Sequence, residues 1–378
     1  MKRALTLMLA VMLLLLCGCA KTPDSETLPI TEPLTEPTTL PTEPATEPTE
    51  PVVVETINPL TGEPVEALTN NRAYAVAINN SKGAMPQQGV AQADILYEML
   101  IEGETRCMGV FYDLASVTEP LGSVRSARRD FIRVAMAYDA IFVHKGWSYN
   151  QGTQYDKYSA ETTFNQFNWE HIDGNKNASK YFYRDWTGKS SEEHTLYIKP
   201  AKILEAAKDL GLTTTRDQSL DVGLKFDKEA FFVGETAGKV KVWFNMSKTT
   251  NERWHKYTTL TYNQETGLYE AYQSHSGYSG GADYIDGNTG EVLSFRNILV
   301  LRTPNEELQN ASHWMKIDVV GSGEGFFACN GQIIPIKWSR ASESDPYTYT
   351  LENGTPITLG VGKTYIAVIP TTGVVEYK

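Results

Sequence analysis

The chain runs to 378 residues, 41% of them apolar and 11% aromatic, with a formal net charge of −12. That is ample material for one large core or two ordinary ones. An acidic chain lacks the basic field that a nucleic acid backbone demands, so nucleic acid is excluded as a partner.

The N-terminus opens with Lys2 and Arg3 and continues as an apolar run over residues 4–16, which at helical rise covers roughly 20 Å and falls short of a bilayer span. This pattern is a signal peptide. It ends in Leu16-Cys17-Gly18-Cys19, which resembles the bacterial lipobox and makes Cys19 the residue expected to take lipid and become the new N-terminus. The alternative is an ordinary secretory signal cut at Gly18 or Ala20. Residues 1–19 are read as a lipoprotein signal, which places the mature chain on the extracytoplasmic face of the cell membrane.

Residues 20–57 are rich in Thr, Glu and Pro, with Thr-Glu-Pro at positions 31, 35, 42, 46 and 49. They read as a disordered tether that would reach roughly 115 Å in a polyproline-like conformation. Removing Lys2 and Arg3 with the signal leaves a charge of −14, split equally between the tether, whose eight acids face only Lys21, and residues 58–378. Cys17 leaves with the signal, so Cys107 and Cys329 are the thiols of the globular part. Both lie in apolar runs and are expected to be free and buried rather than paired.

In the globular part, residues 73–78, 94–102 and 106–112 read as strands. Residues 122–147 then combine a loop, a helix and a short apolar strand over 140–144. Ala127, Phe131, Val134, Ala135 and Tyr138 recur at helical spacing, which puts Arg125, Arg128 and Arg129 at the helix N-terminus. The aligned peptides already make that end positive, so cations there are disfavoured unless an anion shares the site. Arg125, Arg128 and Arg129, joined by Arg133, therefore form a candidate cradle for phosphate or carboxylate. The competing reading pairs them internally with Asp94, Glu98, Asp130 or Asp139. His144 closes the strand at 140–144, where open sheets place ligand groups, and is a candidate base or a hydrogen-bonded structural residue.

Residues 148–195 are weakly periodic and read as loops with short helices. Residues 199–210 form a helix, with Pro200 in its first turn and Gly211 as its stop. From about residue 221 the texture turns to strands, over 239–244, 257–262, 268–273, 297–301, 314–320, 325–328, 333–338 and 365–369. The expected fold class is α+β: an α/β-type layered N-terminal domain over 58–220 and a β-rich C-terminal domain over 221–378. Gly277-Tyr-Ser279-Gly-Gly281 has the spacing of a hydrolase nucleophile elbow but no helix signal after it. Gly321-Ser-Gly-Glu-Gly reads as a turn. No HExxH or CxxC occurs, so neither metal nor cofactor is proposed.

Several segments together are similar to the YerB-like lipoprotein family of Gram-positive bacteria, which has a domain of unknown function and its own C-terminal domain. They are Asn58-Pro-Leu-Thr-Gly, Ala75-Val-Ala-Ile-Asn-Asn, Gln92-Ala-Asp-Ile-Leu-Tyr-Glu, Gly122-Ser-Val-Arg-Ser-Ala-Arg, Tyr138-Asp-Ala-Ile-Phe-Val-His, Tyr183-Arg-Asp and Gly360-Val-Gly-Lys-Thr-Tyr. The resemblance spans residues 58–370 and implies Arg184, Asp185 and His194 as neighbours of the Arg and His144 positions. It carries no known activity. The expected function is a lipid-anchored binding or adaptor protein that holds an anionic cell-wall polymer, a peptide carboxylate or an envelope protein at the arginines. The alternative is an envelope hydrolase or transferase with His144 as base.

Overall fold

The computed structural model describes residues 56–65, 71–216, 221–230, 232–244 and 255–378, so the signal peptide, Cys19 and nearly all of the tether lie outside the described residues. The apolar runs of the sequence become strands covered on both faces. Every residue of β1 (Tyr74–Asn79), β2 (Ile95–Leu100) and β3 (Thr105–Phe111) is buried, as the middle of a layered sheet requires. β4 (Ile141–His144) pairs parallel to β1, and β5 (His171–Asp173) parallel to β4.

The C-terminal part contributes β6 (Glu235–Thr236), β7 (Asn297–Thr303), β8 (Gly321–Cys329), β9 (Gln332–Arg340), β10 (Thr348–Thr350) and β11 (Thr364–Pro370). All join one mixed sheet in the order β6-β9-β8-β7-β11-β2-β3-β1-β4-β5, with β10 against β9. β11 lies between β7 and β2 and runs parallel to both, so strands from the N- and C-terminal parts share a single sheet.

Alternation along the strands feeds two cores. Ala75 and Ala77 of β1 pack with Phe131 and Val134 of α1 (Arg129–Met136) and Phe164 of α2 (Ala160–Phe167). Val76 and Ile78 face the other way, toward Ile203 and Ala206 of α3 (Pro200–Asp209) and toward Val240, Val242 and Leu260 of a second, antiparallel sheet. The architecture is α+β: the α-helices of the described residues all precede residue 210, and the chain beyond is strands and turns. α3 starts with Pro200 and is followed by Gly211 at φ +67°, as the sequence predicts. Cys107 and Cys329 are free and buried.

Two expectations are corrected. α1 begins at Arg129, with Arg128 as an extended cap, so Arg125 is not at a helix start. Residues 124–127 are instead extended and wedged between the ends of β1 and β4. The Arg125 amide donates to the Ala77 carbonyl, the Lys145 amide to the Arg125 carbonyl, and the Ala127 amide to the Gly146 carbonyl. The spacing of Ala127 to Phe131 is helical by coincidence, because sheet-end partners claim the backbone first. Likewise, Gly321-Ser-Gly-Glu-Gly is not a turn but the start of β8. Two of its glycines mark close approach: a Cβ on Gly323 would collide with the Arg302 carbonyl and one on Gly325 with the Val300 carbonyl.

Candidate functional site

The extended segment 124–127 points its polar groups into a cleft of about 440 Å³, lined by Arg125, Ser126, Lys145, Trp147, Asn175 and Glu193, among others. Arg125 Nη1 meets Glu193 Oε2 at 2.9 Å, while its Nε is buried without a hydrogen-bond partner. Lys145 stands 3.8 Å from Glu192, and Arg184 grips the same Glu192 carboxylate as well as its carbonyl. Lys176 lies over the Trp147 ring at 3.8 Å and near Tyr149 at 5.2 Å, which adds a further cation beside the cleft. The acids of this group come from a short 3-10 turn, Glu192–His194, and both are substantially exposed.

Behind the cleft stands Arg106, the second residue of β3. It is 2% exposed, and among the described residues the one hydrogen bond of its guanidinium runs from Nη1 to the Ser126 carbonyl at 2.6 Å. Among the described residues no carboxylate lies within 4 Å of it. Burial, reinforced by Arg128 and Arg125 and opposed more weakly by Glu102 and Glu104, pushes its pKa well below the usual guanidinium value. Arg128 is clasped by Glu102, with Nε to Oε1 at 2.5 Å and Nη2 to Oε2 at 3.2 Å. Burial pulls the Glu102 carboxyl up, but Arg128 and Arg106 outweigh it and leave its pKa lowered.

The remaining sequence candidates divide sharply. Arg129 and Arg133 both serve Asp130, and Arg133 also binds Glu343 at 2.9 Å, so these two belong to the fold. Of the acids considered as internal partners, Asp130 fills that role. Asp139 instead pairs with Arg72 and Arg216, and Glu98 faces Lys256. The acids on Arg125 and Arg128 are Glu193 and Glu102. Asp185 accepts the Thr187 amide at 2.9 Å and takes no part in the cleft. His194 sits at its edge, with Nδ1 on Asn79 Nδ2 at 2.9 Å and Nε2 3.6 Å from Glu193, and burial lowers its pKa.

His144 is fully buried. Nδ1 donates to the Gly146 carbonyl at 2.8 Å, and Nε2 lies 2.9 Å from His171 Nδ1. Burial and the neighbouring His171 lower its pKa to about 3, so the ring is neutral and both nitrogens are engaged. It braces Gly146, which lines the cleft, together with Asp173, which accepts the Gly146 amide at 2.7 Å. Among the described residues no three His, Cys, Asp or Glu side chains group as metal ligands.

Sequence reasoning missed Arg106, Lys176, Glu192 and Glu193. For Arg106 a signal existed: an arginine inside the otherwise apolar strand Thr105–Phe111. The acids come from the loop-rich region, where no periodicity places them.

Residues 60–213 match the family model described as "Protein of unknown function (DUF3048) N-terminal domain", and residues 248–366 match the corresponding C-terminal domain. The chain is 26% identical over 314 residues to "Putative lipoprotein YerB" of Bacillus subtilis (strain 168), covering 82% of this chain and 86% of that one. A crystal structure of the YerB protein from Bacillus subtilis is similar at a TM-score of 0.68, covering 85% of this chain and all of that one at 24% identity, which shows a shared fold.

Proposed function

The chain belongs to this two-domain family of unknown function, and we propose that it is a lipid-anchored envelope binding protein whose Arg125 cleft holds a phosphate or carboxylate of a wall polymer, peptide or protein partner. The observation that carries this reading is Arg106. A buried guanidinium with no carboxylate in contact costs several kcal/mol; Glu102 and Glu104 offset only part of that cost, and two more arginines flank it. An anion entering beside Arg125 and Lys145 relieves that repulsion, while Glu192 and Glu193 occupy the cleft cations until it arrives. The hydrolase or transferase reading has no such support, since His144 has neither solvent access nor a free nitrogen.

Calorimetric titration with inorganic phosphate and with a glycerol phosphate oligomer tests the site. Exposed ion pairs are worth about 0–1 kcal/mol, so Glu193→Gln, which removes the internal competitor, is expected to tighten binding by up to about fivefold. Arg125→Gln is expected to weaken it about tenfold or more. No saturable binding, or weaker binding by Glu193→Gln, overturns the reading.

The anchor is tested separately. Cys19→Ser is expected to abolish lipid labelling and move the protein from the membrane to the soluble fraction, because a two- or three-chain anchor at about 0.8 kcal/mol per buried methylene is effectively permanent. Retention of the variant on membranes contradicts lipidation at Cys19.

A further inference from the structure

The opposite end of the β2–β3 pair opens on a second cleft of about 590 Å³, wider than the Arg125 cleft and of opposite polarity. It brings together two segments that the anion site leaves unused, Asn58-Pro-Leu-Thr-Gly and Gln92-Ala-Asp. Most of its charged groups are hydrogen-bond acceptors, the carboxylates of Glu63, Asp94 and Asp113. Asp94 Oδ1 takes one bond from Asn58 Nδ2 at 3.0 Å and Oδ2 one from the Tyr112 amide at 2.7 Å, so each oxygen keeps a lone pair in reserve. Gln92 Oε1 is buried with no hydrogen-bond partner among the described residues. Glu63 and Asp113 also line the cleft, and neither forms an ion pair among the described residues. The lining cation, Lys363, gives its ammonium to the Ala91 carbonyl. Pro64, Val65, Phe111 and Val117 supply apolar wall.

We propose that this cleft binds a primary ammonium carried on a short apolar frame, with Asp94 and Gln92 as its acceptors. The ligand must donate, because the unsatisfied Gln92 oxygen and the three carboxylates around it accept, and the Lys363 ammonium is already engaged by the Ala91 carbonyl. It must be cationic, because the carboxylates outnumber the one lysine. An apolar frame fits the aliphatic and Phe111 walls. The inference is independent of the anion site.

Burial raises the Asp94 pKa to about 6, against the lowering pull of the Tyr112 amide, Asn58 and Lys363, with Glu63 adding to the rise. Its charge is therefore present at pH 7.5 and mostly gone at pH 5. Bound ammonium favours the ionised form, so affinity falls as pH drops through 6.

Ligand-observed NMR titration of the full chain with n-butylammonium, and with 1-butanol as the uncharged counterpart, reads the site. The expected result is saturable binding of the ammonium alone, about tenfold weaker at pH 5 than at pH 7.5. Asp94→Asn should weaken it at least tenfold at pH 7.5. Gln92→Leu, which removes no structural bond, should weaken it about threefold, and it keeps the test open if Asp94→Asn fails to fold. Arg125→Gln should leave it unchanged, so failure here and failure of the anion site are distinguishable. Equal binding of butanol, pH-independent affinity, or wild-type affinity in Gln92→Leu overturns the proposal.

Discussion

Replacing Glu98 by Ala is expected to lower the stability of the fold by about 3–5 kcal/mol and the melting midpoint by about 6–10 °C. Glu98 is fully buried on β2, and five groups converge on its carboxylate. Oε1 accepts from Asn80 Nδ2 at 2.9 Å and Thr105 Oγ1 at 2.6 Å and faces Lys256 Nζ at 3.0 Å. Oε2 accepts from Thr258 Oγ1 at 2.9 Å and Tyr365 Oη at 2.6 Å. Asn80 and Thr105 belong to the N-terminal part, and Lys256, Thr258 and Tyr365 to the C-terminal part. The alanine variant takes the carboxylate from a lysine that is 2% exposed and leaves four donors without their acceptor in a dry interior. Glu98→Gln keeps an acceptor and the side chain's volume, so its loss should be smaller, about 2–3 kcal/mol. Thermal or urea unfolding measures both. A midpoint shift under 2 °C for Glu98→Ala would mean that the network contributes specificity rather than stability.

Glu98 also marks where sequence reading stops. Its strand was legible, since residues 94–102 are an apolar run bounded by turn signals. A glutamate in the middle of such a run announces that something must neutralise it, but nothing in the run says that the partners lie more than 150 residues away on Thr258 and Tyr365. The same holds at the candidate site. The clustering of Arg125 and Arg128 and the strand-end position of His144 could be read directly, because they are local. The helix start was misplaced because 124–127 obeys helical spacing while its amides are claimed by Ala77 and Gly146. The acids that meet Arg125 and Lys145 arrive on a 3-10 turn in a region without periodicity, so only tertiary structure positions them. Burial, which decides that His144 is neutral and that Arg106 is costly, is a property of the whole packed sheet.

Arg106 provides the sharpest separation between a binding role and a structural one. If its counterion is a ligand, the unliganded fold holds a buried charge that Glu102 and Glu104 offset only in part. Arg106→Met then removes a desolvation penalty at the price of one hydrogen bond to the Ser126 carbonyl, worth about 1 kcal/mol. Stability should stay unchanged or rise by up to about 3 kcal/mol, as when buried charges give way to apolar residues of similar volume. Affinity for inorganic phosphate should fall about tenfold, because the field behind Arg125 and Lys145 is weakened. Arg128→Met makes the contrasting case. It strands the Glu102 carboxylate, which is only 20% exposed, and should cost about 1–3 kcal/mol with less effect on phosphate. The Glu102 pKa is lowered in the fold, so the stability it contributes is present above its unfolded value and lost as pH falls through the folded one. The deficit of Arg128→Met should therefore shrink in acid, and the effect of Arg106→Met should change less, because Arg106 lowers the Glu102 pKa less than Arg128 does. Melts of wild type and both variants at pH 7 and pH 3.5, with phosphate titrations at pH 7, distinguish the cases. A melting midpoint several degrees lower for Arg106→Met, with phosphate affinity unchanged, would return Arg106 to the fold and take the anion site with it.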